Sequence, residues 1–389
     1  MADCDAAARR EIELVGDDFV DESLSWLTHV RAFCYNVARA SSGCTMRDHA
    51  DHQRGGQMKT RQLGSTDLIL STVGIGTWPM GSVFGGMSWG PQDDEESVST
   101  ILRALERGIN WLDTAPTYGR GHSEDVVGMA LKKASKRPII VTKCGSTWTE
   151  DLKPAFRLDK ASVRAQCEGS LKRMAIDTID VYLVHWPNPI EYMEEGWATC
   201  SELVKEGKIR YIGVSNFTIE QMDKLYPIHP IAAMEPPYSM IERRIETGIL
   251  DYCRDHNMGV IVYSPLQQGL LTGTMRSVDE LAPNDFRRAN PHFKDPEFGL
   301  NLKLAEDLKP IAAKHGRSVA QLAIAWTLRM PEVTAALNGA RTPSEIEDSV
   351  LGGDMELSQE DIASIENLLK ERQAKLPPPP PPGGLPGRR

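Results

Sequence analysis

Val73-Gly74-Ile75-Gly76-Thr77-Trp78-Pro79 decides between two architectures that the rest of the chain leaves open. From about Val73 to Leu351, short apolar runs alternate with helical patterns, the mark of a parallel sheet built from strand–helix units. Such a sheet either lies open and doubly wound or closes into a barrel. A doubly wound dinucleotide-binding sheet carries G-x-G-x-x-G after its first strand, with a helix starting on that turn. Here Pro79 stands where that helix should begin. Eight runs read as strands, at 73–76, 110–113, 139–143, 179–185, 209–215, 232–235, 259–264 and 333–337, and helical patterns fill the gaps. The expected fold is α/β, a (β/α)8 TIM barrel.

Outward from that core, residues 61–70, with Gly64-Ser65 at their centre, read as an N-terminal hairpin closing the barrel's bottom. Ser358, with Asp361 three positions on, starts a C-terminal helix running to about residue 372. The segment 267–301, rich in Pro, Asn, Asp and Arg, is too irregular for an ordinary connection and reads as a functional loop on the top face. Three regions follow: an N-terminal extension at 1–57, poorly ordered or partly helical over 24–40; the barrel at 58–375; and a proline-rich disordered tail at 376–389, with six prolines at 377–382.

The formal charge of −10 argues against a general polyanion binder, so neither nucleic acid nor an anionic membrane is an expected partner. No stretch approaches the ~18 apolar residues of a membrane span, and the seven Cys are widely spaced without a C-x-x-C pair. They read as free thiols in a reducing compartment rather than a disulfide frame or a metal site, so a soluble, cytoplasmic protein is expected. Whether it is a monomer or a homo-oligomer is not readable from the sequence.

Three of the apolar runs end in Asp113, Lys143 and His185, and Tyr118 follows the first of these by five positions. On neighbouring parallel strands of a barrel these ends share one face, where barrels of this kind keep their chemistry. An acid, a phenol, an ammonium and an imidazole converging there point to proton transfer to or from a reacting oxygen.

The motifs that contain these residues are Asp113-Thr114-Ala115-Pro116-Thr117-Tyr118-Gly119, Thr142-Lys143, Leu183-Val184-His185-Trp186-Pro187, Gly207-Lys208-Ile209-Arg210-Tyr211-Ile212-Gly213-Val214-Ser215-Asn216-Phe217, and Tyr263-Ser264-Pro265-Leu266 with Gly269-Leu270-Leu271-Thr272-Gly273. In register and order over about 58–370, they resemble the aldo-keto reductase family. The glycine run and Gly339-Ala340-Arg341 look most like its bacterial general-stress and inositol-operon branch. The resemblance implies reversible NADPH-dependent reduction of an aldehyde or ketone, with NADH as the alternative cofactor. Tyr118 would be the proton donor, Lys143 the cation that tunes it, Asp113 the partner holding Lys143, and His185 the hydrogen-bond donor orienting the carbonyl. Tyr263 would stack on the nicotinamide, Ser215 and Asn216 would hydrogen-bond its carboxamide, and Glu235 would lie beside the ring. Thr77, Trp78, Ser264, Pro265, Leu266, Gln268, Gly269 and Leu271 would line the ring edges and pyrophosphate. Gly339, Ala340, Arg341 and Glu345 would take the adenosine end.

Some positions depart from the family's pattern. Glu235 stands where Gln is usual, Thr274 where Lys is usual, and Glu345 and Ser349 replace residues that meet the adenosine. Arg341 favours NADPH, whereas Glu345 could repel a 2′-phosphate or bond a free ribose hydroxyl. Substrate contacts are expected from Trp78, Trp89, Trp148, Trp186, Tyr118 and His185. Aromatic walls around a small polar centre suit an aldehyde or ketone with an apolar body, and the expected partner is a small aldehyde, ketone or sugar. Two other functions use the same residues: a cofactor-sensing subunit with little turnover, and a sugar or polyol dehydrogenase working in the oxidative direction.

Overall fold

The computed structural model describes residues 58–81, 89–283 and 285–377. The chain divides after Gly56 into two units, and the described residues all belong to the second. The expected helix at 24–40 and nearly all of the proline-rich tail lie outside them.

An antiparallel hairpin, β1 (Thr60–Gln62) and β2 (Ile69–Ser71), precedes the barrel. The barrel strands are β3 (Val73–Gly76), β4 (Trp111–Asp113), β5 (Ile139–Cys144), β8 (Ile179–Val184), β9 (Ile209–Ser215), β10 (Ala233–Glu235), β11 (Gly259–Tyr263) and β12 (Ala335–Gly339). They pair in parallel in that order, and β12 returns to β3, closing the cylinder. The expected (β/α)8 barrel is the fold. The last strand begins two residues later than the sequence suggested, because Val333 turns back on Met330 before pairing starts.

Period-two alternation sorts each strand's side chains between two cores. Ile140, Tyr182, Val184, Ile212, Val260 and Ala336 face outward into the layer shared with the helices. Trp111, Val141, Val181, Leu183, Ala233, Ile261, Ala335 and Leu337 face inward and fill the barrel. Leu63, Leu68 and Leu70 of the hairpin join that inner cluster, so the hairpin closes the barrel as expected. Trp111 has room because Gly74 lies beside it: a Cβ on Gly74 would sit 2.1 Å from the indole ring.

Helices α1 (Asp94–Glu106), α2 (His122–Lys133), α3 (Lys160–Met174), α4 (Met193–Lys205), α5 (Ile219–Leu225) and α6 (Ile249–Asp255) follow successive strands. After β11 the chain forms short 3-10 turns over a small apolar cluster of Leu270, Leu281, Phe293 and Phe298. It then enters α7 (Glu297–Lys314), a helix the sequence reading did not foresee, and α8 (Val319–Thr327). The circuit ends with α9 (Pro343–Val350) and α10 (Gln359–Lys375). A second hairpin, β6 (Ser146–Trp148) with β7 (Pro154–Phe156), stands outside the barrel sheet.

Candidate active site

The next inward position beyond each filled layer is where five polar residues and a glycine stand. Two residues after Trp111, Val141, Leu183, Ala233, Ile261 and Leu337 come Asp113, Lys143, His185, Glu235, Tyr263 and Gly339. Parallel registry puts these strand ends on one rim: Asp113 pairs with Gly76, Lys143 with Leu183, and Glu235 with Ser215. Alternation that packs the barrel below therefore aims these groups at a shared point above.

Lys143 is fully buried there, and its ammonium contacts both oxygens of Asp113 at 2.5 Å, the Thr114 carbonyl at 3.2 Å and Glu235 Oε1 at 3.4 Å. Burial works against the charge on Lys143, but Asp113 and Glu235 outweigh it and raise its pKa, so it stays an ammonium. Burial raises Asp113 as well, and its two contacts with Lys143 pull it back. Glu235 is pushed up to about 8, by burial first and then by the neighbouring Asp113. One cation faces two buried carboxyls, and Glu235, with the looser contact, is the one that carries a proton at neutral pH.

Tyr118 sits in the turn after β4, its ring centroid 5.4 Å from the Lys143 ammonium. The turn is fixed by close backbone approach: Gly119 has φ +63°, and a Cβ there would lie 1.6 Å from the Gly81 carbonyl oxygen. Burial drives the Tyr118 phenol above its usual value while Lys143 draws it back, so the hydroxyl is protonated at neutral pH. The His185 ring lies 6.1 Å away, and burial together with Lys143 keeps its imidazole well below the usual value, hence neutral. Asn216 donates to the His185 carbonyl at 3.0 Å and to Ser215 Oγ at 2.9 Å, and accepts from the Tyr263 hydroxyl at 2.8 Å. Asn216 and Ser264 hold φ of +65° and +58°, strain of a kind that functional sites concentrate.

These groups open into a cavity of about 950 Å³. Its lining runs from Trp78, Tyr118, His185 and Trp186, past Ser215, Asn216, Glu235, Tyr263 and Ser264, to Gly339, Arg341, Ser344, Glu345 and Asp348 beside α9. Two buried polar atoms of that lining, Trp89 Nε1 and Glu235 Oε2, find no hydrogen-bond partner among the described residues. An elongated cleft with an aromatic end, polar side chains midway and a helix start at the far end fits a nicotinamide dinucleotide.

Of the residues singled out from sequence, Pro265, Leu266, Gln268, Gly269 and Trp89 also line this cavity. Trp148 does not: it belongs to the β6–β7 hairpin, which diverges from the strand rim at Gly145. Thr77, Leu271 and Ala340 are fully buried. Thr77 braces the rim, donating to the Asp113 carbonyl at 3.0 Å and accepting from Ser123 Oγ at 2.6 Å, while Leu271 and Ala340 pack in the outer core. Phe286 and Arg287 were missed. Both come from the 267–301 segment, which folds over the rim as expected. Phe286 meets Trp78 edge-on at 6.2 Å, and the Arg287 guanidinium lies 5.0 Å over Trp89 while donating to the Gln268 carbonyl.

A family model described as "Aldo/keto reductase family" matches residues 72–370. The chain is 38% identical over 317 residues to the aldo-keto reductase YhdN of Bacillus subtilis, covering 80% of this chain and 94% of the relative. It is 35% identical over 318 residues to the NADH-specific methylglyoxal reductase of Escherichia coli, covering 78% and 96%. Among solved structures, the glycerol dehydrogenase AKR11B4 from Gluconobacter oxydans superposes with a TM-score of 0.76 at 36% identity, covering 82% of this chain and 98% of that one.

Proposed function

The chain belongs to the aldo/keto reductase family, and from that premise we propose that Tyr118, Lys143, Asp113 and His185 perform its reaction as a unit. It is an NAD(P)H-dependent oxidoreductase that interconverts carbonyl compounds and alcohols. The observation that carries the residue assignment is the buried Lys143–Asp113 pair beneath a protonated Tyr118 and beside a neutral His185, all at one end of the cleft.

When bound, the nicotinamide supplies the hydride that no side chain can donate. The chain's own groups handle the oxygen. The phenol of Tyr118 gives its proton to the oxygen as negative charge develops, and Lys143 stabilises the phenolate left behind. His185 donates a hydrogen bond to the same oxygen and fixes its direction. Asp113 keeps the ammonium in place, since an unpartnered buried charge is costly. In reverse, the phenolate takes the alcohol's proton. Ser215, Asn216 and Tyr263 hold the nicotinamide end, and Trp78, Trp186 and Phe286 shape the entrance for the substrate's apolar body.

The motifs at 269–273 and 339–341 support a place near the bacterial general-stress and inositol-operon branch. Four buried free cysteines, Cys144, Cys167, Cys200 and Cys253, support a reducing, cytoplasmic compartment. Among the described residues, no helix is long and apolar enough to cross a membrane.

Between the two cofactors, the sequence expectation of NADPH rests on Arg341. A specific observation favours NADH. The Arg341 guanidinium already donates to Gln92 Oε1 at 2.8 Å and to the Trp89 and Pro91 carbonyls, and the Glu345 carboxylate accepts from the Arg341 backbone N–H at 2.7 Å. A carboxylate thus occupies the helix-start position that a 2′-phosphate would seek.

The test is a panel of aldehydes, ketones, sugars and polyols assayed in both directions with both cofactors, beside nicotinamide fluorescence quenching. Turnover of carbonyl compounds supports the reductase reading. Tight cofactor binding without turnover on any compound would instead favour a sensor, and turnover confined to polyols a dehydrogenase.

A further inference from the structure

Glu235 is the one member of the Lys143 cluster for which the reaction above has no use. Its carboxyl is almost fully buried yet lines the cleft, at the level where Ser215, Asn216 and Tyr263 converge. Oε1 shares the Lys143 ammonium at 3.4 Å, while Oε2 has no partner among the described residues. The cluster balances only when one of its two carboxyls is protonated: with Asp113 and Glu235 both ionised around one ammonium it carries a net negative charge.

The geometry points to Glu235 as a specificity-determining residue that lets this site distinguish the oxidised from the reduced nicotinamide, by facing the cationic oxidised ring as a carboxylate and the neutral reduced ring as a carboxylic acid. The reduced ring is an uncharged dihydropyridine; the oxidised ring is a pyridinium. In a dry pocket an ionised carboxylate attracts the pyridinium strongly, whereas beside a neutral ring it is simply an uncompensated buried charge. The oxidised cofactor therefore draws a proton off Glu235 on binding, and the reduced cofactor leaves it in place.

Each of the other groups around Glu235 is held by its own contacts or by burial. From β4, Asp113 is locked by two contacts to Lys143, and from β5 Lys143 is raised and remains an ammonium. Tyr118, after β4, and Tyr263, on β11, are phenols that burial pushes upward, and His185, after β8, is held neutral by burial and by Lys143. The Ser215 hydroxyl on β9 donates to the Glu235 backbone carbonyl at 2.8 Å. With its own carboxyl pushed up to about 8, Glu235 is the group whose charge changes near neutral pH.

The inference rests on the nicotinamide occupying this end of the cleft, and the experiment separates the two. Titration calorimetry of the full chain with NAD+, NADH, NADP+ and NADPH, in buffers of differing ionisation enthalpy, reads both affinity and protons released. For whichever pair binds more tightly, wild type is expected to release a proton on binding the oxidised form and none on binding the reduced form. Its preference for the oxidised form should rise roughly tenfold between about pH 7 and about pH 9, as linkage to one carboxyl titrating near pH 8 requires. Glu235→Gln, which keeps the shape and removes the charge, should bind both forms with no differential proton release and a preference flat with pH. Binding of both forms with equal proton release in wild type, or an unchanged difference in Glu235→Gln, would overturn the inference and leave the reductase reading standing. Failure of every cofactor to bind wild type would overturn both.

Discussion

Each of the four residues that meet at the barrel mouth ends, or closely follows, a readable strand, which is why sequence could find them. Asp113, Lys143 and His185 continue the inward alternation of Trp111, Val141 and Leu183, so correct strand ends sufficed to bring them together. Trp148 stands apart from the cleft lining because aromatic content says nothing of where a hairpin leaves the rim, and Thr77, a polar residue at a strand end, braces backbone. Glu235 was visible as a departure from a family pattern, but its shared ammonium was not. That carboxyl makes stability pH-dependent. Because its folded pKa, about 8, exceeds the ordinary 4.5, its contribution is fully present below the ordinary value and is lost as pH rises through about 8. Melting temperatures of wild type should therefore fall between about pH 6 and about pH 9 by more than those of Glu235→Gln; parallel profiles would deny the buried proton. At the other end of the cleft, Glu345→Gln removes a carboxylate from the start of α9. It should shift kcat/KM selectivity toward NADPH by about 1 kcal/mol, roughly fivefold, and a shift toward NADH would contradict the role given to Glu345.

Among the elements, seven of the eight barrel strands end within a residue or so of their sequence reading, because β-branched runs bounded by polar strand ends leave little freedom. Helix α7 was hidden by its own composition. Pro310 interrupts the pattern and Asn301 stands on the buried face, yet Phe298, Leu304, Leu308 and Ala312 still form an apolar stripe. Pro310 is accommodated on the exposed side, and Asn301 is satisfied by Arg372 Nε at 2.7 Å and by its own bond to the His292 carbonyl at 2.9 Å. No local pattern announces a partner 71 residues away. The cap of α10 was readable, since Ser358 and Asp361 form a reciprocal capping box, but its long-range half was not. Asp361 also accepts from Lys314 at 2.9 Å and His315 at 3.0 Å, tying α10 to the end of α7. Ser358 and Lys314 hold its carboxyl below the ordinary 3.8, so this tie persists above that value and is lost as pH falls through the folded pKa. Asp361→Ala is expected to cost about 2 kcal/mol in denaturant unfolding near neutral pH. A loss no larger than that of a neutral surface substitution would show that the helix docks without it.

For the molecule as a whole, the barrel was legible because consecutive strand–helix units allow few closures, and Pro79 removed the open sheet from among them. The hairpin under the barrel was legible for the same reason, as two short runs about Gly64-Ser65 with nowhere else to bury Leu63, Leu68 and Leu70. We expect residues 58–377 alone, which hold every barrel strand, to fold and to keep the kcat/KM of the full chain. Loss of activity with the fold retained would give the terminal regions a part in the reaction. The account as a whole rests on Tyr118 as the group that gives the proton, and Tyr118→Phe tests it with one hydroxyl removed. Turnover of the best carbonyl substrate should fall by about 10²–10⁴-fold, the range for loss of a positioned proton donor, while cofactor affinity by fluorescence quenching stays at the wild-type value. Turnover near wild type, or loss of cofactor binding together with activity, would contradict it.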